Sequence, residues 1–244
     1  MVSSDRNWQA WGESDPYYAV LTDPRFRGES SEAARQDFFD GGRAYIDDTL
    51  ARVEMHFGSI ARERALDFGC GVGRLTIPLA QHFTSVTGLD ISSAMLEEAH
   101  RNSAGFAIDY RLSDDRLTAL DGTFDFINSC IVLQHIPIER GMVLLDGLLA
   151  RVRPAGGCAI HLSIKRRQNR RQELLYAVRH RIPGGQALLN LLSGKSAKAP
   201  VMQMNEYSLA DVIRLFNVHG FGDLLMRYGD HGEVDTVLIL ARRR

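Results

Sequence analysis

Between residues 64 and 164 of the 244-residue chain, two hydrophobic periods alternate. Short apolar runs of strand length occur at 65–68 (ALDF), 85–90 (SVTGLD), 106–112 (FAIDYRL), 124–133 (FDFINSCIVL) and 156–164 (GGCAIHLSI). Stretches with helical spacing occupy 74–83, 91–102 and 138–152, with Ser92 or Ser93 placed to cap the second. Strands separated by helix-length segments predict an α/β fold with a parallel, doubly wound sheet. Upstream, Phe38, Tyr45, Ile46, Thr49, Val53 and Phe57 share one face of a helix that starts at Ser30 or Ser31 and is closed by Gly58. Residues 1–30 are rich in turn formers and aromatics and read as an ordered arm over the main domain.

The regular beat stops at Lys165. Residues 173–182 and 185–192 read as two short helices either side of Pro183-Gly184-Gly185, followed by a loop at 193–200. A helix at 208–220 and two strand-like pieces at 221–229 and 234–243 finish the chain. Four segments result: an arm and helix (1–58), a core (59–164), a helical insertion (165–206), and a terminal helix with a strand pair (207–244).

Composition narrows the class. The 29 basic and 30 acidic residues give no overall bias toward nucleic acid or membrane. No apolar run is long enough to span a bilayer, the N-terminus lacks a signal-peptide core, and Cys70, Cys130 and Cys158 read as reduced thiols. A cytoplasmic protein is expected. No cysteine or histidine cluster has zinc-ligand spacing, so no metal is expected.

The glycines at 69, 71 and 73 follow the first strand and its acid, Asp67. A dinucleotide loop places its third glycine where Arg74 stands here, and a carboxylate so close would repel a pyrophosphate. It would attract an ammonium group. S-adenosylmethionine (SAM) carries one, with a sulfonium and no phosphate. Asp90 ends the second strand, where a carboxylate accepts hydrogen bonds from both ribose hydroxyls.

The segments LDFGCGVGR (66–74), GLDIS (88–92) and FDFINSCIVLQHIP (124–137) together resemble the class I SAM-dependent methyltransferases of small-molecule type. The resemblance covers residues 60–164, and the tail from 206 as the family's last helix and strand pair. It implies a seven-stranded, mostly parallel sheet with the last strand antiparallel. It also implies that Asp67 takes the SAM ammonium and that the loop of Gly69, Cys70, Gly71 and Arg74 passes beneath the methionine part. Asp90 would hold the ribose and Ile91 would lie against the adenine. Asp114 or Asp115 would reach the adenine amino group, with Asn128 and Ser129 near the sulfonium.

The acceptor side rests on Gln134 and His135, just past the fourth strand. His135 is the best-placed base if the acceptor is a hydroxyl; the alternative is a histidine capping or packing under the next helix. His161 on the fifth strand and His231 in the last turn are further candidates near the pocket, and Tyr17 and Tyr18 are candidate acceptor contacts from the arm. Residues 165–198 hold nine basic residues and one acid, so the rest of the chain is acidic by nine charges. This insertion reads either as a solvated face or as a patch for an anionic acceptor. With one tyrosine and no other aromatic it suits RNA poorly. The leading reading is methyl transfer to a small molecule, at oxygen. The alternatives are an RNA or protein methyltransferase, or a SAM-binding protein without transfer activity. The arm and insertion could also serve as a homodimer contact.

Overall fold

The computed structural model describes residues 3–194, 196–230 and 232–244. His231, and Lys195 of the 193–200 loop, lie outside the described residues. The strands are β1 (Arg64–Phe68), β2 (Ser85–Asp90), β3 (Ile108–Leu112), β4 (Phe124–Ser129), β5 (Val152–Arg166), β6 (Leu224–Asp230) and β7 (Val234–Arg242). They form one sheet in the order β3-β2-β1-β4-β5-β7-β6. β1 to β5 run parallel, and β7 lies antiparallel between β5 and β6. The strand order reverses between β1 and β4, which opens a crevice at their carboxyl ends.

The central strands are near-continuous apolar runs because both faces are covered. On one face, Leu144, Leu145 and Leu148 of α6 (Ile138–Ala150) and Val212 and Phe216 of α9 (Leu209–Val218) pack on Leu66, Ile127 and Ile160. On the other, Ile46, Leu50 and Val53 of α3 (Glu32–Phe57) and Leu79 of α4 (Thr76–His82) pack on Ala65, Val86, Phe126 and Ala159. α3 begins where the Ser31 hydroxyl accepts from the Ala34 N–H and ends at Gly58, φ 85°. α5 (Ser93–Asn102) is capped by Ser92.

The arm departs from the turn-rich reading. It folds as α1 (Ser3–Ser14) and α2 (Pro16–Val20), because Pro16 sits at a first helical position that needs no N–H. Trp8, Trp11, Tyr17 and Phe26 join Phe38 and Met95 in a third apolar cluster, which fixes the arm to α3 and α5. Gly12 lets α1 approach closely, since a Cβ there would lie 2.6 Å from the Ser92 hydroxyl. In the insertion, α7 (Arg170–Arg181) starts three residues earlier than the apolar pattern shows, at a capping box of Asn169 and Gln172, and packs on α8 (Gly185–Leu192).

Candidate active site

The loop after β1 runs Gly69, Cys70, Gly71, Val72, Gly73 with φ of 73°, 51° and 86° at the three glycines, a region that penalises any Cβ. The Gly69 and Cys70 N–H groups both donate to the Leu89 carbonyl, at 2.7 and 2.9 Å. A Cβ on Gly69 would lie 2.3 Å from the Val132 side chain, and one on Gly71 2.8 Å from Val20. Backbone and side chains therefore meet closely over this loop. Gly69→Ala combines left-handed strain with overpacking and is expected to cost about 2–5 kcal/mol of stability. Urea denaturation checks this; an unchanged midpoint would contradict it.

Asp90 closes the loop. Its Oδ2 accepts from the Gly71 N–H and its Oδ1 from the Ser92 N–H, both at 2.9 Å. Burial pushes its pKa up, and these backbone donors hold it back. Each oxygen keeps a lone pair for a further donor.

A concave, mainly apolar cavity extends from this loop. Gly69, Gly71, Asp90 and Ile91 form one wall, Ser113, Asp114 and Asp115 the next, and Cys130, Ile131, Val132 and His135 the third. Ile131 has φ 61°, costly for a β-branched residue, and such strain concentrates at functional sites. The arm forms the roof with Ser4, Asp5, Trp8, Ala19 and Val20. Arg140 on α6 pairs with Asp5 at 2.6 Å and with Asp115, and so ties roof to wall. Among the described residues the lining holds four carboxylates, at 5, 90, 114 and 115, and one guanidinium.

His135 lies 6 % exposed against Trp8, ring centroids 5.0 Å apart. Its Nδ1 is 2.6 Å from the Gln203 carbonyl oxygen, which only accepts, so Nδ1 carries the proton and Nε2 is bare. Burial lowers its pKa to about 4, against the pull of that carbonyl. The unfolded chain protonates this imidazole near 6.5, so below that pH it binds a proton the native state refuses. Native stability should therefore fall between pH 6.5 and 4, by about 3 kcal/mol from this residue. The stability difference between wild type and His135→Gln, measured at pH 7 and pH 4, should change by that amount in favour of the variant. A pH-independent difference would contradict it.

The other candidate residues distribute unevenly. Asp114 accepts from the Arg116 and Thr118 N–H groups. Asp67 does not line the cavity. It is buried, accepts from Thr76 at 2.6 Å and Asn128 at 2.8 Å, and burial raises its pKa to about 6. Cys70, Asn128 and Ser129 are likewise buried away from the cavity lining. Arg74 turns back to α3, where its Nε donates to the Phe38 carbonyl at 2.9 Å. Gln134 faces the insertion, near the Met204 sulfur. His161 shares a strand face with Ala159, under α3. The structure does not bring Tyr17 to the cavity: its hydroxyl meets Glu98 and Asn102 at 2.6 and 2.9 Å. Tyr18 lines a separate groove between arm and insertion.

Asp5, Trp8, Val20, Ile131, Val132 and Arg140 were missed as lining residues. Asp5 and Trp8 fall at i and i+3 of α1, a spacing visible once the arm is read as a helix. The positive φ of Ile131 leaves no mark in the sequence.

Residues 65–156 match the model of a methyltransferase-domain family. This segment is a methyltransferase domain. The ubiquinone biosynthesis O-methyltransferase of Chromobacterium violaceum is 33% identical over 144 residues, 57% of each chain. That of Nitrosococcus oceani is 38% identical over 102 residues, 40% of this chain and 42% of that one. The matches thus span about half the length of these relatives. Among solved structures, magnesium protoporphyrin IX methyltransferase from Synechocystis PCC 6803 with bound SAH aligns with TM-score 0.62 at 20% identity, over 97% of this chain and 98% of that one. N-methyltransferase NodS from Bradyrhizobium japonicum WM9, in complex with SAH, aligns with TM-score 0.60 at 15% identity, over 99% of each. The methyltransferase domain thus sits in a chain whose whole fold follows these enzymes. Among the described residues no helix is long and apolar enough to cross a membrane, and no three His, Cys, Asp or Glu groups are placed to hold a metal.

Proposed function

We propose that this protein transfers a methyl group from SAM to the oxygen of a small-molecule acceptor, with His135 as base. The observation that carries the reading is the charge of the cavity: four lining carboxylates against one guanidinium that two of them already engage. Such a site suits a cationic cofactor and repels a pyrophosphate. The fit extends to detail. Gly69 and Gly71 present backbone to the cavity, and Asp90 keeps lone pairs for two ribose hydroxyls. Ile91 offers an apolar face for adenine, and Asp114 or Asp115 an acceptor for its amino group. Asp67 acts from below the loop, holding Thr76 and Asn128 in place.

Bound there, SAM supplies an electrophilic methyl on a cationic sulfur. The chain's own work is alignment, exclusion of water and acceptance of a proton. Trp8 and α2 roof the cavity, which suits a small acceptor better than a macromolecule. The bare Nε2 of His135 takes the hydroxyl proton as the oxygen attacks. The positive charge lost at sulfur then reappears on the imidazole, so the buried site keeps its net charge. The relatives named for O-methylation point to the same atom. Isosteric phenol and aniline acceptors offered with methyl-labelled SAM test the reading. Label on oxygen, lost in His135→Gln, is expected; label on nitrogen alone would contradict it.

A further inference from the structure

The groove between arm and insertion lies outside the cofactor cavity and is lined by Arg27 and Arg179 with no carboxylate among its lining residues. The sequence concentrates positive charge in the insertion, but three of the five cations in its densest run meet acids. Lys165 and Arg166 meet Glu206, and Arg167 meets Asp230 and Asp235. Arg179 is different. It donates only to the neutral Asn190 side chain, at 3.1 Å, and has no acidic partner among the described residues. Arg27 stacks 4.6 Å over the Tyr18 ring, with Asp15 at the 4.0 Å limit of an ion pair. The charge of Arg179 therefore stands uncancelled in the groove, and the neighbouring His180 registers it: burial, then Arg179 and Arg166, lower its pKa to about 4.

Two further observations give the ligand a shape. Trp11, Tyr18 and Tyr176 line it with aromatic rings, those of Tyr18 and Tyr176 lying under the Arg27 and Arg166 guanidinium groups. The Trp11 indole N–H is buried without an acceptor among the described residues, an unusual state for a donor. Two segments of chain run from the groove to the cavity. Met202 lines it, while the next residue, Gln203, gives its carbonyl to His135. On α1, Trp8 faces the cavity and Trp11 the groove.

We infer that this groove binds the anionic part of the acceptor, a carboxylate carried on an aromatic ring, with Arg27 and Arg179 as its counter-charges. The word acceptor rests on the methyl-transfer reading; the anion site rests on the groove alone.

Two tryptophans, one per site, make the test direct. Trp8→Phe leaves Trp11 to report on the groove, and Trp11→Phe leaves Trp8 to report on the cofactor cavity. Benzoate and its neutral isostere benzamide are titrated into each protein. Benzoate should shift Trp11 emission saturably, with benzamide weaker by about ten-fold or more, and Arg27→Gln/Arg179→Gln should erase that preference. The same arginine substitutions made in Trp11→Phe should leave the Trp8 response to SAM unchanged. Equal binding of acid and amide, a benzoate response at Trp8 alone, no response at millimolar benzoate, or an arginine variant that binds as before would overturn the inference. Failure of SAM to move Trp8 would instead strike the methyl-transfer reading and leave the anion site standing.

Discussion

Replacing Asp90 by alanine is expected to weaken SAM binding by about 100-fold or more. A carboxylate accepting two ribose hydroxyls makes two charge-assisted hydrogen bonds, each contributing about 1.5–3 kcal/mol. Their joint loss, about 3 kcal/mol or more, corresponds to that factor. The substitution also frees the Gly71 and Ser92 N–H groups, so the loop itself loosens. Asp90→Asn separates the two effects, since its amide keeps one oxygen acceptor and loses the charge; it should fall between wild type and alanine. Calorimetric titration with melting curves alongside is the measurement. A change below about three-fold in a folded Asp90→Ala protein would remove the ribose from this position.

The second large effect concerns His135. His135→Gln should lower kcat for a hydroxyl acceptor by about 10²- to 10⁴-fold, the usual contribution of a positioned base. The SAM dissociation constant should stay within a few-fold. Glutamine keeps an N–H for the Gln203 carbonyl and similar bulk against Trp8, so a collapse of the roof is not the expected cause of lost rate. Because burial holds the imidazole neutral down to about pH 4, the enzyme limb of the kcat/KM profile should stay flat through pH 5–7. A limb near pH 6.5 would mean a solvated, ordinary histidine.

Much of this was legible in the sequence because strands and helices advertise their period. The parallel core, a cap at Ser92 or Ser93, a helix opening at Ser30 or Ser31 and closed by Gly58, and Asp90 at the end of β2 all follow from local pattern. The glycine loop was legible too, since positive φ at three alternate residues leaves few choices but glycine.

Side-chain direction was not. Asp67 reads as a ligand for an ammonium because it ends a strand beside the loop, yet Thr76 and Asn128 occupy its oxygens from elements nine and 61 residues away. Arg74 turns from the cavity because Phe38, on α3, offers a carbonyl and a ring. Tyr17 and Tyr18 are adjacent in sequence but point to different surroundings, as neighbours on a helix do. The basic run at 165–171 reads as a solvated face or a patch, and what local pattern leaves out is that Glu206, Asp230 and Asp235 arrive from distant segments to meet Lys165, Arg166 and Arg167. Each miss is a tertiary contact that no local period encodes.

The most direct test is calorimetric titration of the wild-type protein with SAM, and separately with NADH. One-site binding of SAM in the micromolar range with no heat from NADH is the predicted result. A folded protein that ignores SAM, or that prefers the dinucleotide, would contradict the assignment of the acidic, glycine-walled cavity to a cationic cofactor.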